Sequence, residues 1–201
     1  MSATGRNWPK SYKKLDEMTV SLKPLAALLP WRRLAPHADD LYDAIMAQTR
    51  LPIYYQRFGV PDTLEGRFAV LSLHLFAVLH RLKREGKAGA ATAQALSDRF
   101  AADMETVLRE VGVGDLSVPK KVRKLVAEGA GLLEGYERAV ARGGEALQNA
   151  IADALPLDSE AARTVSAELT PYLNKTLQDL DSQPLEAIRE GRVRFPELGG
   201  A

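Results

Sequence analysis

Cysteine is absent from the chain of 201 residues. Disulfides, thiolate nucleophiles and zinc–thiolate sites are thereby excluded together, and the chain suits a reducing compartment. Aromatic residues make up only 6% of the chain while alanine is abundant, a balance that favours helices over sheets. Charge of one sign is lacking too. The formal net charge is +1, so no global field draws the protein to DNA or to anionic lipid, and any such attraction has to come from a local patch. No apolar run approaches the ~18–20 residues that a membrane-spanning helix requires. The opening residues MSATGRNWPKSYKKLDEM hold no apolar stretch, so a secretory signal is not expected.

Motifs with a mechanism are missing as well. GVGDLSVPKK lacks the ending of a phosphate-binding loop and follows a helical stretch rather than a strand. His74 and His80 stand six apart, about 240° round a helix, and face different ways; His37 is isolated. No catalytic, metal-binding or cofactor-binding residues are therefore assigned, and the expected function is not enzymatic.

What is present is a hydrophobic content of 46% and a succession of helical patterns. The stretch RFGVPDTLEGRF, residues 57–68, places a rigid polar turn directly before FAVLSLHLFAVL, which holds only Ser72 and His74 as polar interruptions. Asp62 followed by Glu65 has the form of an N-cap with an N3 carboxylate. Leu64, Phe68, Leu71, Leu75, Val78 and Leu82 step by four and three. A long helix over about 62–85, buried nearly all round, is predicted.

Further helices are expected over 37–50, 90–111, from Asp115 or Ser117 to about 142, over EALQNAIADALP, and from Asp158 or Ser159 to about 170, where Pro171 should kink or restart the chain. The fold class is all-α: a compact bundle of six to eight helices around the long central one. Its expected parts are a polar N-terminus with an apolar-basic arm (1–36), a core domain (37–142), and C-terminal helices and tail (143–201) packed on that core. The arm segment VSLKPLAALLPWRRLAP reads either as a strap packed on the domain or as a docking or interfacial anchor.

Three features carry candidate contacts. Arg67, His74 and Arg81 recur every seven residues on the long helix. They form either a satisfied core histidine flanked by solvent-reaching arginines or the polar floor of a groove for an apolar partner segment. Arg57 and Asp62 stand at the mouth of that groove, and Asp103 and Arg109 come from DRFAADMETVLREVG, whose i,i+4 pairs and acidic side a solvated face also explains. Finally, Lys120, Lys121, Arg123 and Lys124 crowd a helix start, where the dipole disfavours cations. They suit an anion on ribosomal RNA, a lipid headgroup or an acidic protein, unless Asp115 neutralises them.

The runs RFGVPDTLEGRF, LSLHLFAVLHRL, ALSDRFAADMETVLREVGVGDLSVPKKV and RVRFP resemble the ubiquinol–cytochrome c chaperone family. The likeness covers about 40–126 and the terminal RVRFP. The aromatic continuation that the family tends to place after VPKK is replaced here by VRKLVAEGAGLLEGYERAV. The resemblance implies an all-helical assembly chaperone that binds newly made cytochrome b, or another respiratory membrane subunit, during bc1 complex biogenesis. It also implies contacts near the ribosome, where mitochondrial members work; with neither a presequence nor a secretory signal read at the N-terminus, a bacterial relative is expected, cytoplasmic or peripheral on the inner membrane. A helical scaffold with a different client is the competing reading, and a small-molecule enzyme a remote one.

Overall fold

A computed structural model describes residues 37–110 and 118–197, without the side chains of residues 108–110 and 118–126. The arm (1–36), the caps expected at Asp115 and Ser117, and the glycine stop at 112–114 lie outside the described residues. So do the side chains of Arg109 and of the basic cluster 120–124.

Among the described residues there are eight helices and no strand: α1 (Ala38–Thr49), α2 (Ile53–Gln56), α3 (Leu64–Arg84), α4 (Lys87–Glu110), α5 (Val118–Arg142), α6 (Glu145–Ala154), α7 (Ser159–Ser182) and α8 (Leu185–Arg189). The bundle forms around α3, which packs against α1, α4, α5 and α7. Every residue from Ala69 to Val78 is buried. This follows from FAVLSLHLFAVL, which offers water almost nothing to solvate; each large side chain withdrawn contributes about 1.5–3 kcal/mol. Among the described residues one large apolar cluster runs from Leu41 in α1 to Ile188 in α8, beside a small separate contact of Ala38 with Ala95. Among the described residues no helix is long and apolar enough to cross a membrane.

The entry to α3 departs from expectation by one residue. Thr63, not Asp62, is the N-cap; its hydroxyl accepts from the Gly66 amide at 3.2 Å. Asp62 is instead held by Arg67, whose Nε donates to it at 2.6 Å. Leu64, expected on the inward face, is 58% exposed, whereas Gly66 in the same turn is buried. Two glycines make this turn possible. Gly59 adopts φ 77°, a left-handed conformation that side chains resist. At Gly66 a Cβ would lie 2.0 Å from the Pro61 carbonyl oxygen, so the chain can double back only over a bare α-carbon.

Two further differences concern helix length. The four-residue α2 is too short to show a period in the sequence. Pro171 neither ends nor restarts its helix: α7 continues through it to Ser182. Proline leaves the carbonyl four residues back without an amide partner, yet Leu169, Tyr172, Leu173 and Thr176 on either side are buried. Packing across that face outweighs one missing bond. At the start of α7, Asp158, of the two expected candidates, caps the amides of Glu160 and Ala161.

Gly66→Ala should cost about 2–4 kcal/mol of unfolding free energy, since backbone must move to admit the methyl group. Gly131→Ala, in a helix with open space around it, should be neutral or stabilising by up to about 1 kcal/mol. Urea denaturation of both variants checks the pair; equal stabilities would contradict the close-approach account.

Candidate functional site

The stripe Arg67–His74–Arg81 divides between two environments. His74 is fully buried. Its Nδ1–H donates to the Val70 carbonyl, 2.8 Å away on the preceding turn, which leaves Nε2 as an acceptor. The Tyr172 hydroxyl lies 2.7 Å from that nitrogen and the Tyr54 hydroxyl 3.0 Å. Gln48 donates to Tyr54 at 2.9 Å, and Tyr54 to Tyr172 at 2.8 Å. The chain of donors ends at Val70 with a neutral imidazole. Burial pushes the His74 pKa down to about 4, only partly offset by the Val70 carbonyl. Burial likewise raises the phenols of Tyr54 and Tyr172. Phe195 of the RVRFP tail stands edge-on to the imidazole, 5.2 Å between ring centres.

Arg81 is also buried. Its Nε donates to the Leu180 carbonyl at 2.9 Å, Nη2 to the Gln183 carbonyl at 3.1 Å, and Nη1 to Glu85. It closes the C-terminal end of α7, where free carbonyls favour a cation. Gln183 then clasps the tail: its Nε2 donates to the Arg194 carbonyl at 2.8 Å, and its Oε1 accepts from the Arg194 amide at 2.9 Å. His74 and Arg81 thus join α2, α7 and the tail to α3. They do not line a groove.

Arg67 does line one. A groove of about 400 Å³ opens where α1, α2, the first turns of α3, α4, α5 and the α6–α7 connection meet. Its apolar lining includes Met46, Phe68, Leu71, Met104, Leu132 and Leu155, and the exposed Leu64 stands at its edge. Its charged residues, among the described side chains, are Arg50, Glu65, Arg67, Asp103 and Glu128. Besides its pair with Asp62, Arg67 lies over the Tyr55 ring at 5.6 Å. Asp103 accepts from the Tyr42 hydroxyl at 2.8 Å and pairs with Arg99 at 3.5 Å. Burial first, and then Asp103, raises the Tyr42 phenol.

Of the sequence candidates, Arg67 and Asp103 meet at this groove. Arg57 and Asp62 do not line it; Arg57 lies over Phe58 at 5.9 Å. The sequence reading did not name Arg50, Tyr55 or Glu128 for this groove, and Glu65 was noted there as the N3 carboxylate of the turn. Leu64 carried a usable signal, as a large apolar residue placed between a cap and a carboxylate. Glu128 and Leu132 carried none, because α5 reaches α3 only through the tertiary fold. Among the described residues, no cluster of three or more metal-ligating side chains is found.

The family model described as ubiquinol-cytochrome C chaperone matches residues 56–195. The Xenopus laevis protein described as ubiquinol-cytochrome-c reductase complex assembly factor 1 is 24% identical over 130 residues, 64% of this chain and 64% of that relative. The chain is therefore matched to somewhat under two thirds of the length of that curated relative. The crystal structure of the Cbp3 homolog from Brucella abortus is similar with a TM-score of 0.69 and 32% identity, covering 83% of this chain and 94% of the other. The family match begins at 56, later than the expected 40, and continues past 126 to Phe195, the residue that stands against His74 in the buried network.

That network sets a pH dependence. With the His74 pKa near 4 in the folded state and about 6.5 unfolded, its contribution is complete above about pH 6.5 and declines as the pH falls toward 4. Unfolding free energy should drop by about 2 kcal/mol between pH 7.5 and 5 on this account alone. In His74→Gln the same interval should be flatter by that amount. Equal slopes for the two proteins in urea titrations would contradict the assignment.

Proposed function

The chain belongs to the ubiquinol–cytochrome c chaperone family, and from that premise we propose that it is an assembly chaperone for the bc1 complex. Newly made cytochrome b, or another respiratory membrane subunit, docks in the groove at the first turns of α3. The groove itself carries this reading. Its apolar lining suits a segment that will later sit in lipid, and its charged residues of both signs suit the polar ends of such a segment. Because no described helix can cross a membrane, the client supplies the membrane-embedded part, and a cytoplasmic or membrane-peripheral site of action fits this division of labour. The similarity to proteins described as a reductase assembly factor and a Cbp3 homolog supports the same client.

A second contact involves the basic cluster. Backbone geometry puts Lys120, Lys121, Arg123 and Lys124 in the first two turns of α5, whose first turn carries no acidic residue. This arrangement favours an anionic surface such as ribosomal RNA or lipid headgroups. A scaffold with a different client is the competing reading.

Leu64→Glu places a charge at the groove edge on a residue already exposed, so the melting temperature should move by no more than about 2 °C. Cytochrome b recovered with the tagged protein from solubilised membranes should fall at least about fivefold, the equivalent of roughly 1 kcal/mol. Unchanged recovery would defeat the groove assignment; wild-type capture of a different subunit without cytochrome b would favour the scaffold. In the same cells, Lys120→Glu with Lys121→Glu should weaken sedimentation with membranes or ribosomes, more so at low salt. Unchanged sedimentation would reject the second contact.

A further inference from the structure

We infer that Tyr54 is a positioning residue for the client groove. It does not line the groove itself. Its buried hydroxyl fixes α2, and α2 with the turn that follows presents the two groups that hold Arg67 at the lining. The inference rests on the groove being the docking site and adds how its polar edge is kept in place.

The short helix α2 cannot hold itself. Its 4 residues fall far short of the ~12–15 that an isolated helix needs to persist in water. Leu51 before it reaches solvent, and Gly59 after it turns left-handed. Tyr54 is the one residue of α2 that is buried, so the attachment of this segment falls chiefly on that side chain. The hydroxyl meets three other helices: Gln48 of α1 at 2.9 Å, His74 of α3 at 3.0 Å and Tyr172 of α7 at 2.8 Å. The ring stands edge-on to those of His74 and Tyr172, with 5.3 and 5.7 Å between centres.

Two routes lead from Tyr54 to Arg67. Tyr55, the next residue, lies about 100° further round the helix and faces the groove. Its ring lies beneath the Arg67 guanidinium, and its hydroxyl donates to the Thr49 carbonyl at 2.7 Å, which closes the corner between α1 and α2. By the second route, the Tyr54 carbonyl accepts from the Val60 amide at 3.0 Å. Buried Val60 then leads through Pro61 to Asp62, which takes the Arg67 Nε–H. Tyr55 and Asp62 thus converge on one guanidinium from the two sides of the Gly59 turn, and Tyr54 is tied to both. An arginine held at Nε and over a ring is preorganised, which spares rotamer entropy when the polar end of a client arrives.

A matched pair of variants tests this. Tyr54→Phe keeps the ring and cuts the hydroxyl contacts. Tyr172→Phe also removes a buried phenol, yet leaves Tyr54 able to donate to His74 and to accept from Gln48. Amide hydrogen exchange over residues 51–58 should quicken about tenfold or more in Tyr54→Phe and stay within about twofold of the parent in Tyr172→Phe. Cytochrome b captured from solubilised membranes should fall at least about threefold in Tyr54→Phe and by less than about 1.5-fold in Tyr172→Phe. With Arg67→Ala already in place, adding Tyr54→Phe should lower capture by less than about 1.5-fold further, because the phenol acts through that arginine. Parent-like exchange in Tyr54→Phe would overturn the inference. So would equal acceleration in the two variants or acceleration throughout the chain, either of which marks a general core role. Unchanged capture beside a loosened α2, or losses that multiply in the double variant, would overturn it as well. If the parent captures no cytochrome b, the client reading fails, while the exchange pair still upholds or rejects the hold of Tyr54 on α2.

Discussion

The burial of α3 on nearly every face is the constraint from which the remaining structure follows. A run of ten buried residues, Ala69–Val78, has to be covered by neighbours on all sides, and α1, α4, α5 and α7 provide that cover. The two polar side chains with greatest reach, His74 and Arg81, have to be satisfied inside the cover. Tyr54 and Tyr172 do so for the first, and the carbonyls at the end of α7 for the second. The two ends of α3 escape this cover: Lys83 and Arg84 reach solvent at one, and at the other Leu64 is exposed and the groove opens. A rigid core at one end of the helix and an incompletely covered apolar surface at the other are consequences of the same sequence.

The central helix was legible because its signal is local: a twelve-residue stretch with two polar positions and a clear period leaves little choice. The start of α7 at Asp158 or Ser159 was legible for the same reason. Where two local candidates competed, the outcome turned on a side-chain pairing. Asp62 and Thr63 can both cap a helix, and Arg67 drew the carboxylate away. At Pro171 local propensity was overridden by packing on either side. The polar stripe was recognised as a stripe, with a satisfied core histidine as one of its two readings, but Tyr172, Leu180 and Gln183 lie 98 or more residues away in α7 and at its end, so the choice between the readings and the burial of Arg81 were beyond reach. The groove was hardest of all. Arg67 and Asp103 were named, yet its lining is assembled from six elements that have no common pattern in the sequence.

The RVRFP tail gains a structural meaning from this arrangement. Gln183 grips the backbone of Arg194, Arg81 grips Gln183, and Phe195 stands against His74. The last described residues are therefore fastened to the centre of the molecule, and the tail belongs to the rigid body. A holder of an apolar polypeptide benefits from such a division, because a preorganised frame spares the entropy of ordering at the moment of capture.

The most direct test of the account is site-specific crosslinking in cells, with a photoreactive residue at position 64 on the groove edge or at position 175 on the exposed side of α7. The account predicts crosslinks to newly made cytochrome b from position 64 and none above background from position 175. Equal yields from both positions, or client crosslinks from position 175 alone, would contradict it.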